Sequence, residues 1–242
     1  MLRIFDHLVG RGPLRICAHV PSADGPGDLT GLRVLLTADV LARVVELRGR
    51  AVLTGRTGPE VPGAAAAGIH PADAEGSPEE IAEALGGPPA VQLSGRPYEG
   101  GGGLSLRVAE AVREGGDGDG SEDGDGLAVR LALLGQPYHR PVTLTAGAVQ
   151  DAGRRLARWR RAVAGWAEEP SKPLLDALVR TAREGLEDSL DTAAALRALE
   201  DLAADGGVPV GTKFETFARL DRVLGLELTR EIGTAPAGGA GA

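Results

Sequence analysis

The stretch LRICAHVPSADGPGDLTGLR, Leu14 to Arg33, gathers the side chains best placed to do chemistry: Cys17, His19, Asp24, Asp28 and Thr30. An imidazole beside a carboxylate can move a proton, so His19 with Asp24 or Asp28 is a candidate base within one loop. Cys17 is the chain's only cysteine. It offers either a metal ligand or a reactive thiol, although a lone cysteine at a strand end commonly packs as a small buried hydrophobe. The backbone amides of the loop, followed by a helix N-terminus at Leu32, could also cradle an anion. Asp24 and Asp28 oppose that attraction. No lysine lies in this half of the chain, whose lysines are Lys172 and Lys213.

Other polar clusters are less specific. His70 and His139 fall in separate loops and are not expected to share a metal. The aspartates of GGDGDGSEDGDG lack the terminal bidentate glutamate of a calcium loop, so this segment reads as a solvated linker. One cysteine excludes an internal disulfide and any zinc site built on CxxC pairs. The basic patch GRRLARWRRAV places Arg154, Arg158 and Arg161 on one helical face, where they could touch RNA phosphates. Glu168 and Glu169 follow closely, and a salt-bridged, solvated face is the plainer expectation.

The elements that must position these residues follow from periodicity. LRICAHV is a short apolar run with the character of a buried strand. Leu32, Leu35, Leu36, Val40, Leu41, Val44 and Leu47 recur at helical spacing and Gly49 supplies a stop. AVLTG reads as a second strand, which makes a βαβ unit whose first loop is the ligand-binding position of such sheets. SPEEIAEAL carries Ser77 as an N-cap, a proline in the first turn and early acids. PPAVQLSG reads as a further strand and LSLRVAEAVREG as a helix. From Leu127 onward, apolar helical segments separated by short breaks predict a bundle. The expected class is α/β plus α, a shortened Rossmann-like parallel sheet followed by an all-helical bundle. Its expected divisions are a sheet domain over 1–115, an acidic glycine-rich linker over 116–126, the bundle over 127–232 and a frayed tail over 233–242.

Bulk properties set the wider bounds. The chain has 242 residues, net charge -8, 43% hydrophobic residues and only 3% aromatics, so Leu, Val and Ala must build the core. The negative charge argues against DNA as a partner. No apolar run reaches the roughly 18 residues of a membrane span, and the N-terminus lacks the order of a signal peptide. A cytoplasmic protein with no membrane partner is expected.

Taken in order, the segments resemble the cysteinyl-tRNA synthetase family of class I aminoacyl-tRNA synthetases. LRIFDHL, at Leu2 to Leu8, is close to the family's opening phrase, and Cys17 stands where the family has its strand cysteine. Arg33, then Ala38, Asp39, Val40, Leu41, Ala42, Arg43, Leu47, Arg48 and Gly49, echo the following helix without a gap. AAAAGIHPADAEGSPEEIAEAL, LSLRVAEAV with GLAVRLALL, PYHRPVTLT, EDSLDTAAAL and LDRVLGLEL resemble later segments in the same order. The same segments are similar to the cysteine ligase of mycothiol synthesis.

The resemblance implies ATP and zinc as cofactors, and it also locates what this chain lacks. With Arg33 aligned to the arginine after the HIGH motif, Asp28, Leu29, Thr30 and Gly31 occupy that motif and bring an acid in place of imidazole. GRPYEGGGG fills the slot before LSLR, where the KMSKS lysine would be expected, leaving Arg96 as the nearby cation. Of the family's zinc ligands only Cys17 matches. No catalytic residue, cofactor or metal is therefore assigned, and Cys17, His19, Asp24, Asp28 and Thr30 line a vestigial pocket. The expected function is a non-catalytic binding module for a tRNA or a protein partner. The alternative is an ATP-dependent, cysteine-activating ligase with an atypical site.

Overall fold

A computed structural model of the chain describes residues 12–98, 100, 102–114 and 126–234. The LRIFDHL phrase, the acidic linker up to residue 125 and the tail from residue 235 lie outside the described residues.

Strand β1, Leu14–His19, is the buried run expected from its sequence. Helix α1, Thr30–Glu46, follows the loop and returns the chain to β2, Val52–Thr57, which pairs in parallel with β1 in the register Ile16↔Thr54. Gly49, at φ +77°, supplies the left-handed residue that lets the chain reverse between them. The short β3, Ala74–Glu75, adds to the outer edge of β2. Helix α2, Pro78–Ala84, begins with the anticipated Ser77: its side chain accepts from the Glu80 amide while Glu80 reaches back to the Ser77 amide. Strand β4, Val91–Ser94, is buried at every position and pairs with the other side of β1.

Residues 104–113 differ from the expected helix. They form β5, Leu104–Arg107, which pairs with β4, and β6, Ala111–Arg113. The alternation of Leu104, Leu106 and Val108 with Ser105 and Arg107 is a period-two pattern, and the unpaired edge of β4 selects it over the helical reading that Ala109, Ala111 and Val112 also allow. After α3, Gly126–Leu134, strand β7, Val142–Leu144, pairs in parallel with β6. The main sheet is thus five parallel strands in the order β3-β2-β1-β4-β5.

The remaining chain is helical: α4, Ala146–Trp166; α5, Asp176–Ser189; α6, Thr192–Ala204; and α7, Val210–Leu224. Thr145 and Asp191 cap α4 and α6 through their side chains. Despite the scarcity of aromatics, Phe217 is met edge-on by Trp159 and Trp166, at ring-centre distances of 5.7 and 5.1 Å. Aliphatic residues from Leu14 to Leu228 form one continuous core shared by α1, the sheet and the helices. Among the described residues no helix is long and apolar enough to cross a membrane.

Candidate functional site

In an open parallel sheet, ligands bind beyond the carboxyl ends of the strands where the strand order reverses. Here that point lies between β1 and β4, and a cavity of about 520 Å³ opens beside it. Asp24, Asp28, Thr30, Arg96, Arg107 and His139 are among its lining residues. Three of the five candidates from the sequence, Asp24, Asp28 and Thr30, therefore come together.

The loop between β1 and α1 satisfies itself. The Asp28 carboxylate accepts the Asp24 amide at 2.9 Å and the Thr30 amide, at the first residue of α1, at 2.8 Å. The Leu29 amide donates to Ala111 and the Arg113 amide to Gly27, which lays the loop against β6. Burial opposes ionisation of Asp28. The Thr30 hydroxyl, the two amides and the nearby Arg96 outweigh it and hold the carboxyl below its usual range. Arg96 itself pairs with Asp24 at 2.5 Å.

Cys17 and His19 are elsewhere. Alternation along β1 turns Leu14, Ile16 and Ala18 toward α1 and puts Cys17 on the opposite face, 1% exposed, among Leu53, Ala74, Ile81 and Leu85. Burial pushes its thiol from 9.0 up to about 11. It is the small buried hydrophobe, not a reactive or ligating group. His19 does not pair with Asp24 or Asp28: its Nδ1 meets Thr57 Oγ1 at 2.9 Å, its Nε2 meets Gln92 Oε1 at 2.7 Å, and Tyr98 stacks on the ring at 3.7 Å. Because the Gln92 oxygen can only accept, Nε2 carries the hydrogen and Nδ1 accepts from the Thr57 hydroxyl. Burial lowers the imidazole pKa against the opposing effect of Gln92. Both ring nitrogens are hydrogen-bonded within the fold, and among the described residues neither meets a carboxylate.

The thiol makes a direct prediction. Cys17 in the native protein will not react with an aromatic disulfide reagent at pH 8, and will react fully after denaturation, as absorbance of the released thiolate would report. A raised thiol pKa stabilises the fold fully below 9.0, and that contribution is lost as pH climbs toward about 11.

Residues to which the sequence reading assigned no role in the pocket complete the site. Arg107 ends β5, and its position was hidden by the helical reading of that segment. Thr57, Gln92 and Tyr98 hold His19 from three separate segments. Arg33 is 2% exposed and donates to the carbonyls of Ala109, Glu110, Pro137 and Arg140, bracing the far wall of the cavity.

The expected basic face of α4 is largely neutralised. Arg154 pairs with Asp151, and Arg155 and Arg158 both bind Glu200, at 2.8 and 2.7 Å. Arg161 stays exposed. Among the described residues, no group of three or more His, Cys, Asp or Glu side chains is arranged to hold a metal ion.

A parallel sheet reversing beside a polar pocket, with a helical carboxyl-terminal half, defines a Rossmann-like α/β protein with an appended helical region. Part of the chain is similar to named proteins. The chain is 39% identical over 108 residues to an L-cysteine:1D-myo-inositol 2-amino-2-deoxy-alpha-D-glucopyranoside ligase of Streptomyces griseus, covering 43% of this chain and 25% of the relative. The proteins of the same name from Saccharopolyspora erythraea and Thermobispora bispora are 42% identical over 108 residues and 35% identical over 106, covering 43% and 44% of this chain. The match spans about a quarter of these relatives' length. No protein-family profile matches. Over this span the chain is similar to these cysteine ligases, in agreement with the resemblance read from its sequence.

Proposed function

We propose that this chain is a non-catalytic relative of the cysteine ligases, a cytoplasmic binding module that engages a protein partner through its helical half. One observation carries the reading: the loop that would have to hold a nucleotide is closed on itself. The Asp28 carboxylate sits on the first amide of α1, and the Leu29 amide is bonded to Ala111. An anion at a helix N-terminus needs those donors free, and a resident carboxylate repels a triphosphate. Preorganised positive charge is the largest aid an enzyme gives to phosphoryl chemistry. Here Arg96 is tied to Asp24.

A tRNA is the less favoured partner, because Arg154 and Arg158, two of the three arginines proposed to touch RNA, are bound to Asp151 and Glu200. The second reading is an ATP-dependent, cysteine-activating ligase with an atypical site. It is favoured by the names of the relatives and by the cavity at the strand-order reversal, with Arg96 and Arg107 on its wall.

Isotope exchange between pyrophosphate and ATP separates the two. The expected result is no exchange above the protein-free control with cysteine or any other amino acid. Cysteine-dependent exchange that scales with protein concentration would establish the ligase and overturn the module.

A further inference from the structure

A second cavity, of about 710 Å³, lies on the α1 face of the sheet, away from the strand-order reversal. Parallel sheets are normally covered on both faces. Strand β2 is an interior strand, yet Val52, Thr54 and Arg56, which point to this face, are all partly exposed, whereas Ile16 and Val91 beside them are buried. The crossover from β2 to β3, residues 58–73, contains no helix, so the place beside α1 where a second helix would cover β2 is a groove instead. One stripe of α1, Leu35, Ala38, Ala42 and Glu46, forms one wall, and Val61 and Ile69 of the crossover form the other.

Charge decides what fits. Arg43 is committed to Asp39 at 2.8 Å and Arg56 to Glu75 at 2.6 Å. Glu46 and Glu60, on opposite walls, make no ion pair among the described residues, and Asp73 accepts only from Thr54. The groove thus has an apolar strip formed by Leu35, Ala38, Ala42 and Val52, the paired Arg43 and Arg56 beside it, and uncompensated carboxylates at its rim, in a chain of net charge -8 that already attracts cations. Its volume lies within the roughly 300–1,000 Å³ of small-molecule sites.

We infer that this groove is a binding site for a small amphiphilic organic cation, an apolar body carrying one ammonium group. The body lies over Val52, Ala38 and Ala42, and the ammonium is held by Glu46 or Glu60. This assignment is independent of the pocket at the β1–β4 reversal.

The test uses the full chain, with phenylpropylamine as the probe and phenylpropanol and phenylpropionate as its neutral and anionic isosteres, followed by backbone amide NMR. The amine is expected to saturate with a dissociation constant near or below about 1 mM, with the largest shifts at Ala38, Ala42 and Val61. Glu46→Gln with Glu60→Gln, both exposed and so without effect on folding, should weaken it about tenfold. Ala42→Phe, which fills the groove, should abolish saturation with the melting temperature retained. Equal binding of the alcohol, shifts centred elsewhere, an unaffected double variant or the absence of saturation would each overturn the assignment. So would a basic amphipathic peptide that binds this face where the amine does not, since the groove would then be a protein-docking surface.

Discussion

Replacing Arg130 by methionine is expected to lower the melting temperature by about 10 °C, the largest single effect in this fold. The Arg130 guanidinium is fully buried. It donates to Asp39 Oδ2 at 2.6 Å, to the Leu224 carbonyl at 2.6 Å and to the carbonyls of Ala67 and Gly68 at 3.1 and 3.3 Å. One side chain of α3 therefore ties together α1, the turn before His70 and the end of α7. Removing it leaves a buried carboxylate with the partly exposed Arg43 on Oδ2 and the exposed His70 on Oδ1, a loss of about 3–5 kcal/mol for a broken buried pair. The pH dependence distinguishes this from a simple cavity. In the native protein burial would raise the Asp39 carboxyl, but the guanidinium groups of Arg130 and Arg43 outweigh it and hold it low. That contribution is complete above the ordinary 3.8 and is lost as pH falls through the lower folded value. Without Arg130, burial prevails and the sign reverses, so the variant's deficit should shrink as pH drops below about 4. A deficit independent of pH would assign the loss to packing alone. Adding Asp39→Leu should restore much of the stability, because an apolar pair avoids the desolvation that a lone charge suffers.

The pairing at Arg130 shows what a sequence can and cannot display. Asp39 falls among the buried positions of α1, and Arg130 in the apolar run LAVRLALLG, so each charge was visible in its own segment. Their meeting across the fold was not, since no local pattern links α1 to α3. The same distinction runs through the candidate site. Alternation along LRICAHV puts Cys17 and His19 on one side and Ile16 and Ala18 on the other, which period two alone predicts. That the Cys17 side would be sealed by Ile81 depends on where α2 docks, and that is set by Gly55. A Cβ at Gly55 would lie 2.4 Å from the Ile81 side chain, so only glycine admits the helix so closely. The partners of His19 come from β2, β4 and the segment after β4, three stretches that sequence spacing cannot bring together. Residues 104–113 were misread for the complementary reason: their pattern serves both a strand and a helix, and the free edge of β4 decides. Asp28 was legible as an acid in an anion-binding loop, but its role as the acceptor of that loop's own amides required the backbone path.

Arg33→Met is the second large perturbation, and its effect should be local to the cavity at the strand-order reversal. Among the described residues Arg33 has no carboxylate partner. Its Nη1 donates to Ala109, Glu110 and Arg140 at 3.2, 3.1 and 2.7 Å, its Nη2 to Pro137 at 2.7 Å, and its Nε is buried with no acceptor. Burial pulls its pKa down to about 10. Two terms oppose each other on its removal. Burying an uncompensated cation is costly, and the substitution relieves that cost. Leaving carbonyls unsatisfied costs about 1–3 kcal/mol each; the Glu110 and Pro137 carbonyls keep the Val142 and Arg140 amides as donors, so the cost falls on those of Ala109 and Arg140. The second term wins, with a net loss of about 3 kcal/mol expected from chemical denaturation. Lysine should recover less than half of it, because a single ammonium cannot match a planar fork that serves two segments from one position. Hydrogen exchange provides the reading that global stability does not. Amides in residues 108–114 and 138–144, including Ala109, which donates to the Tyr138 carbonyl, should lose protection at least tenfold more than those of β1 and β2. Uniform loss of protection across the sheet would mean that Arg33 supports the whole core, and that the wall bearing Glu110 and His139 needs no dedicated brace.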